Sequence, residues 1–311
     1  MNNIKRIYIT GATGFIGARL LKALLADGYE IGTLMRDGSD SFRLTGTLGK
    51  ISIFTGDLRD SDTVLRSIAE FRPDAILHLV TYYAIEHQPK DIGVMVDTNV
   101  KGTINLLEAA RESGVKLFVN AGTCAVYEQK DRPITEEDRV SPQNLYAVTK
   151  LQAEEAVRFY ALNYGVPGIT LRLFPPYGPG DHDRRLIPYI IRSFEKGESP
   201  ALTTGEQKWD FVYVDDIVEA FLAVVRSYPF KEPYDVINIG TGLPYSIREL
   251  VEKVMMMMDK NVALSWGAVP HRKNEVWFNS ADIKKAGDIL KWSPATRLED
   301  GLRQTIQFFR R

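Results

Sequence analysis

The segment RIYITGATGFIGARL constrains the fold more than any other stretch of this chain. A β-rich run, Ile4–Thr10, leads straight into TGATGFIG (Thr10–Gly17), and a helical pattern opens at Phe15. Glycines fall at 11, 14 and 17. At a strand-to-helix junction each has a mechanical task. Gly11 makes the tight turn, Gly14 lets a pyrophosphate approach the backbone, and Gly17 lets helix and strand pack closely. Thr13, Phe15 and Ile16 lie between or beside them and belong to the same candidate site. The helix start adds free N–H groups and a partial positive charge, which suit phosphate. The expectation is a dinucleotide site on a parallel βαβ unit.

Through Leu173 the chain keeps this rhythm. Strands are expected over Ile4–Thr10, Glu30–Met35, Ile51–Phe54, Ala75–Leu79, Leu117–Asn120 and Gly168–Leu173, and helices over Phe15–Asp27, Ser61–Phe71, Val94–Ser113 and Leu145–Asn163. Several strands are apolar on both parities, as when helices cover both faces of a sheet. The fold class is therefore α/β, a Rossmann-type doubly wound parallel sheet. At FPPYGPGDHDRR, Pro and Gly break the pattern. Helices are expected over Leu186–Lys196 and Ser246–Met258, with DFVYVDDIVEAFLAVV and the β-rich DVINIGTG between them. Residues 1–173 are read as the dinucleotide-binding domain, with 212–243 returning to it. Residues 174–211 and 244–311 form a smaller, mixed α/β C-terminal substrate domain. Four adjacent methionines, Met255–Met258, cannot share one helical face and read as part core, part surface.

Composition narrows the function classes. An apolar content of 44% and a charged content of 25% are ordinary for a globular protein. A net charge of −1 provides no basic field for nucleic acid, so an anionic ligand must meet a local arginine cluster. The single cysteine, Cys124, excludes an internal disulfide and suits a reducing compartment. No run approaches the ~18 apolar residues of a membrane span, and the N-terminus shows no signal-like apolar region. A cytoplasmic protein without membrane partner or metal centre is expected.

The second strand bears on the nucleotide. In EIGTLMRDGSD, the position where a carboxylate would bind the ribose hydroxyls of NAD holds Met35, followed at once by Arg36. An arginine there favours the 2′-phosphate of NADP through bidentate, charge-assisted hydrogen bonds. The alternative is NAD, with Asp37 moved in by a register slip.

In NLYAVTK, Tyr146 and Lys150 stand four apart, so on a helix both project from one face, about 6 Å apart at Cβ. Alone the pair fits a surface helix as well as a tuned proton donor. Upstream, VNAGTCAVYE places Thr123 at the carboxyl edge of the sheet, where open α/β folds bind ligands. A Thr before a V-Y pair, then Y-x-x-x-K, then LRLFPPYGPG resembles the extended short-chain dehydrogenase/reductases that act on nucleotide sugars. GDLRD, HLV, NVKGTINLLEAA, DFVYVDDIVEAF and NIGTG agree in order along nearly the whole chain.

The resemblance implies roles. Tyr146 exchanges a proton with the sugar oxygen, Lys150 holds the nicotinamide ribose and lowers the phenol's pKa, and Thr123 hydrogen-bonds the reacting oxygen. Bringing a phenol from ~10 to near 7 takes about 4 kcal/mol of differential stabilisation, supplied by the ammonium and an oxidised nicotinamide. Asp57 and Leu58 match the adenine contact, Leu79, Val80 and Thr81 the cofactor-lining loop, and Asn99 an asparagine that braces the catalytic region or hydrogen-bonds its own helix. Pro175 stands at the cofactor's edge where the family often has asparagine. Tyr83, Arg184, Arg185 and Arg272 are counted with the substrate, a nucleotide-diphosphate sugar; Arg172 serves either the diphosphate or structure. Trp209 replaces the arginine of an R-D-F motif and either stacks on the ligand or packs.

Within the family, 4,6-dehydratases carry Asp and Glu after the threonine, where this chain has Cys124 and Ala125. Alanine cannot move a proton, so dehydration is not expected. For members that epimerise C3 and C5, Cys124 is one place off and His182 three; Cys124 reads as a small buried residue. NADPH-dependent reduction of a 4-keto-6-deoxy nucleotide sugar at C4 is favoured through Arg36. NAD-dependent 4-epimerisation is the alternative, and an aldehyde or phenolic-ketone reductase or a non-catalytic cofactor sensor fit less well. A homodimer through Val94–Ser113 and Leu145–Asn163 is expected from the family.

Overall fold

The computed structural model describes residues 3–310. Seven strands form one sheet: β1 (Arg6–Thr10), β2 (Glu30–Met35), β3 (Ser52–Thr55), β4 (Ala75–His78), β5 (Leu117–Thr123), β6 (Gly168–Leu173) and β7 (Tyr234–Ile239). Their order is β7-β6-β5-β4-β1-β2-β3, and every pairing is parallel. The direction of winding reverses between β1 and β4, which opens a crevice at their carboxyl ends. Alternation along β1 shows why helices are needed on both faces. Ile7 and Ile9 pack with Leu20, Leu21 and Leu24 of α1 (Phe15–Ala26) and Phe221 of α7 (Val214–Ser227). Tyr8 packs oppositely with Ile68 of α2 (Ser61–Phe71), Leu106 of α4 (Gly102–Glu112) and Val157 of α5 (Leu145–Tyr164).

Two expected boundaries move by three residues or more, each for a physical reason. β5 runs three residues past Asn120 because Ala121, Gly122 and Thr123 stay in register with Leu171, Arg172 and Leu173 of β6. The helix expected from Val94 begins earlier, as α3 (Pro89–Val96), with proline at its first turn and the Asp91 carboxylate accepting from the Gln88 N–H at 2.7 Å. It passes through a π-helical turn, Asp97–Lys101, before continuing as α4.

The smaller lobe is built from α6 (Leu186–Glu195), α8 (Ile247–Met257) and α10 (Leu298–Phe309), which share a core of Ile190, Phe194, Leu250, Val254, Leu302 and Ile306. A mixed three-stranded sheet pairs Lys208–Trp209 antiparallel with Tyr245–Ser246 and parallel with Phe278–Asn279. Between these pieces the chain returns to the large sheet: α7 packs on α1, and β7 extends the sheet beside β6. Ala281, Ala286 and Leu290, with α9 (Lys284–Leu290), also join the large-sheet core rather than the small lobe. In the methionine run, Met258 is buried and Met256 exposed. Among the described residues no helix is long and apolar enough to cross a membrane.

Candidate active site

The crevice at the switch point opens into a cleft of about 1100 Å³ between the lobes. At its floor Gly11 has φ +75°, and a Cβ there would sit 2.9 Å from the Leu79 carbonyl carbon. A Cβ on Gly17 would meet the Gly11 oxygen at 2.1 Å. Gly14 caps α1 without any side-chain cap, so the first N–H groups of the helix face the cleft unclaimed by a side chain. Thr13, Phe15 and Ile16 line the same wall. A dinucleotide's pyrophosphate fits this cradle, because Gly11 is required by φ, Gly17 by contact, and the helix start supplies donors.

Farther along, Arg36, Asp57 and Leu58 line the end where the adenosine half would lie, and Leu79, Val80 and Thr81 form the opposing edge. Arg36 and Ser39 reach this surface; Asp37 is exposed and outside it. Sequence reasoning missed Arg59, two residues past Asp57 in GDLRD. Its Nε and Nη2 donate to the two Asp57 oxygens at 2.9 and 2.7 Å. That hydrogen bonding, with Arg36 adding its charge, holds the Asp57 carboxyl below its ordinary value.

At the other end, Thr123 closes β5 and Tyr146 and Lys150 project from α5, whose first turn is capped by the Asn144 side chain accepting from the Ala147 N–H at 2.9 Å. Tyr146 is buried, with Thr123 near enough to act on its phenol. Tyr83 meets its ring edge-on, with centroids 4.9 Å apart, and the Arg185 guanidinium lies 4.9 Å over Tyr83. Burial raises the Tyr146 phenol above its ordinary value, opposed by Thr123 and Arg185. Among the protein's own groups, loss of solvent outweighs the positive charge of Arg185 on this phenol. Burial pulls the Lys150 ammonium down to about 8, with Glu154 opposing. Behind it His78, driven down to about 3 by burial and by Lys150, is neutral at ordinary pH and bridges Thr10 (2.7 Å) and Thr103 (3.0 Å).

Asn99, buried behind the cleft lining, braces the loop after β4. From the π-helical turn its Oδ1 accepts from the Tyr82 N–H (2.7 Å), and its Nδ2 donates to the Tyr82 carbonyl and the Thr149 hydroxyl, both at 3.0 Å. It thereby ties the loop after β4 to α5 beside Lys150. Cys124 is buried, accepts from Asn279 Nδ2 at 3.3 Å and has its thiol pushed up to about 12 by burial, which leaves it inert as an acid or nucleophile.

Pro175, Arg184, Arg185, Trp209 and Arg272 all line the small-lobe side of the cleft. Arg272 Nε pairs with Glu86 at 2.6 Å, and Trp209 Nε1 donates to the Val276 carbonyl at 2.8 Å, leaving its ring as the free feature. Arg172 is not available to a diphosphate: it is buried and forks onto Glu154. Ala125 lines the cleft where a dehydratase acid would stand.

Residues 7–240 match the family model described as the NAD dependent epimerase/dehydratase family. The chain is 29% identical to a UDP-glucuronate 4-epimerase of Thermodesulfobacterium geofontis over 96% of its length and 94% of the relative's. It is 28% identical to a CDP-abequose synthase of Salmonella typhimurium over 97% of each. Its fold superposes on UDP-glucuronic acid 4-epimerase from Bacillus cereus, solved with UDP-glucuronic acid and NAD, with a TM-score of 0.88, 26% identity and coverage of 98% and 99%. Glycine cradle, parallel sheet and matched length agree, and the chain is an enzyme of the NAD-dependent epimerase/dehydratase family, with the extended short-chain dehydrogenase/reductase fold.

Proposed function

We propose that this enzyme reduces a 4-keto-6-deoxy nucleotide sugar at C4 using NADPH. The observation that carries the reading is Arg36, lining the cleft directly after β2 with no carboxylate beside it on that strand. A guanidinium there forks onto a 2′-phosphate. When bound, the cofactor supplies a hydride to C4. Thr123 hydrogen-bonds the carbonyl and fixes it in line, where positioning provides much of the rate. Tyr146, kept protonated by its burial, hands its proton to the oxygen as C4 becomes an alcohol. Lys150 holds the ribose and keeps positive charge beneath the phenol. Ala125 offers no acid for dehydration. Arg184, Arg185 and Arg272 receive the diphosphate sugar, and Trp209 presents a ring face to it. Exposed Ile92, Val96, Ile104, Phe159 and Leu162 on α3, α4 and α5 support pairing of two copies through these helices.

The second reading, 4-epimerisation with retained NAD, is favoured by the relatives named as 4-epimerases. A panel of 4-keto-6-deoxy sugar nucleotides separates the two. NADPH is consumed with at least one of them and with no phenolic ketone, and Arg36→Ala weakens NADPH binding about ten- to a hundredfold with little change for NADH. NAD that co-purifies tightly, together with interconversion of C4 epimers without net cofactor consumption, overturns the reductase reading.

A further inference from the structure

Lys150 is 2% exposed, and so deeply buried an ammonium tends to lose its proton. One turn along the same face of α5 lies Glu154, also 2% exposed. Its carboxylate is gripped from β6 by Arg172, whose Nε donates to Oε2 at 3.0 Å while Nη2 donates to Oε1. Arg172 is fixed in turn: its guanidinium lies 4.5 Å over the ring of Tyr127, and the Tyr127 hydroxyl donates to Asn238 Oδ1 at 2.8 Å. Tyr127 lines the cleft; its partners Arg172 and Asn238 do not. This ion pair touches no ligand surface, and a buried pair is weak evidence for stability, since matched neutral residues often serve as well. A carboxylate retained at this depth, i+4 from the lysine, calls for another reason.

We propose that the Glu154–Arg172 pair positions charge for Lys150: Glu154, one turn along the same buried face, holds positive charge on the amine inside the fold, and Arg172 fixes the Glu154 side chain in place. The groups facing Lys150 support this division of labour. His78 from β4 is neutral and adds no negative charge. Tyr146, on the lysine's own helix, is held protonated, and Arg185 from the small lobe brings positive charge to that phenol. Glu154 is the group that opposes the loss of the proton. Its two hydrogen bonds from Arg172 offset the cost of its burial and fix its orientation. Neither residue meets substrate or cofactor, so both are positioning residues. The proposal rests on the assignment of Lys150 as a charged partner of Tyr146, but its test requires no substrate.

The probe is the pH titration of lysine Cε resonances in protein labelled with [ε-13C]lysine, with Lys150→Arg identifying the signal. In Glu154→Gln the Lys150 midpoint falls by about one pH unit, a tenfold change in the amine–ammonium ratio, while Glu154→Asp, which keeps the charge, stays within a few tenths. Because Glu154→Gln leaves Arg172 unpaired, Glu154→Gln/Arg172→Gln is titrated beside it. There the midpoint also falls, by less, because the repulsion from Arg172 goes too. A folded Glu154→Gln or double variant whose Lys150 midpoint matches the parent overturns the proposal. So does a failure of all three variants to fold, which would make the pair structural. The alkaline limb of kcat/KM for NADPH oxidation follows the same shift; if the resonances move but no 4-keto sugar is turned over, the proposed reaction fails and the positioning role stands.

Discussion

Tyr146 is enclosed by Thr123, Tyr83 and the reach of Arg185. Replacing it with phenylalanine removes the phenolic oxygen and almost nothing else. Tyr146→Phe is expected to lower kcat a hundredfold or more, in the range of roughly 10²–10⁴ for a positioned acid, with NADPH affinity preserved; stopped-flow turnover beside fluorescence titration of the cofactor checks both. Residue identities at the reacting centre were legible because Tyr, Lys and Thr occur in a fixed spacing around a strand and a helix. Their electrostatics were not. Burial raises the phenol, and Tyr83 and Arg185, which also act on it, come from a loop after β4 and from the start of α6. Glu154 and Arg172 were illegible as a pair for the same reason: eighteen residues apart in sequence, they meet only where α5 lies across β6.

Among the elements, α5 carries both Tyr146, the proposed proton donor, and Lys150, so its first turn governs their placement. Asn144 caps that turn through its side chain. Asn144→Ala is expected to cost about 1 kcal/mol of stability and to reduce kcat beyond what unfolding explains, measured as a lower urea midpoint and a lower rate under fully folded conditions. The helix itself was readable from periodicity, and the glycine turn before α1 from its spacing. The π-helical turn at Asp97–Lys101 was not. An i→i+5 register has no residue signature of its own, yet it marks where helices bend to serve a site, and here it carries Asn99 into the loop after β4. The far end of β5 was also hidden. Nothing in Ala121–Gly122 favours a strand, and only pairing with β6 keeps the chain extended to Thr123.

For the whole molecule, pH acts through two buried bases with opposite consequences for function and for fold. Lys150 titrates near 8 in the native state against an ordinary 10.5. Between those values the unfolded chain binds more protons, so this group adds stability as pH rises while the ammonium is lost. Turnover is therefore expected to fall above about pH 8 with no parallel fall in the urea midpoint up to about pH 9. His78 titrates near 3 against 6.5, and the unfolded chain again binds more protons in that window. Its contribution is complete above 6.5 and lost as pH falls toward 3, so the urea midpoint drops across the acid range.

Sequence by itself determined the parallel architecture, the cradle at Gly11–Gly17 and the identities of Thr123, Tyr146 and Lys150, because glycine sterics and helical or strand periodicity act over a few neighbouring residues. Tertiary structure alone decided which arginine was free to meet a ligand, which carboxylate an arginine grips in the core and how burial bears on the central phenol. Those properties depend on solvent exclusion and on charges brought together from distant segments, and a local pattern of residue types encodes neither.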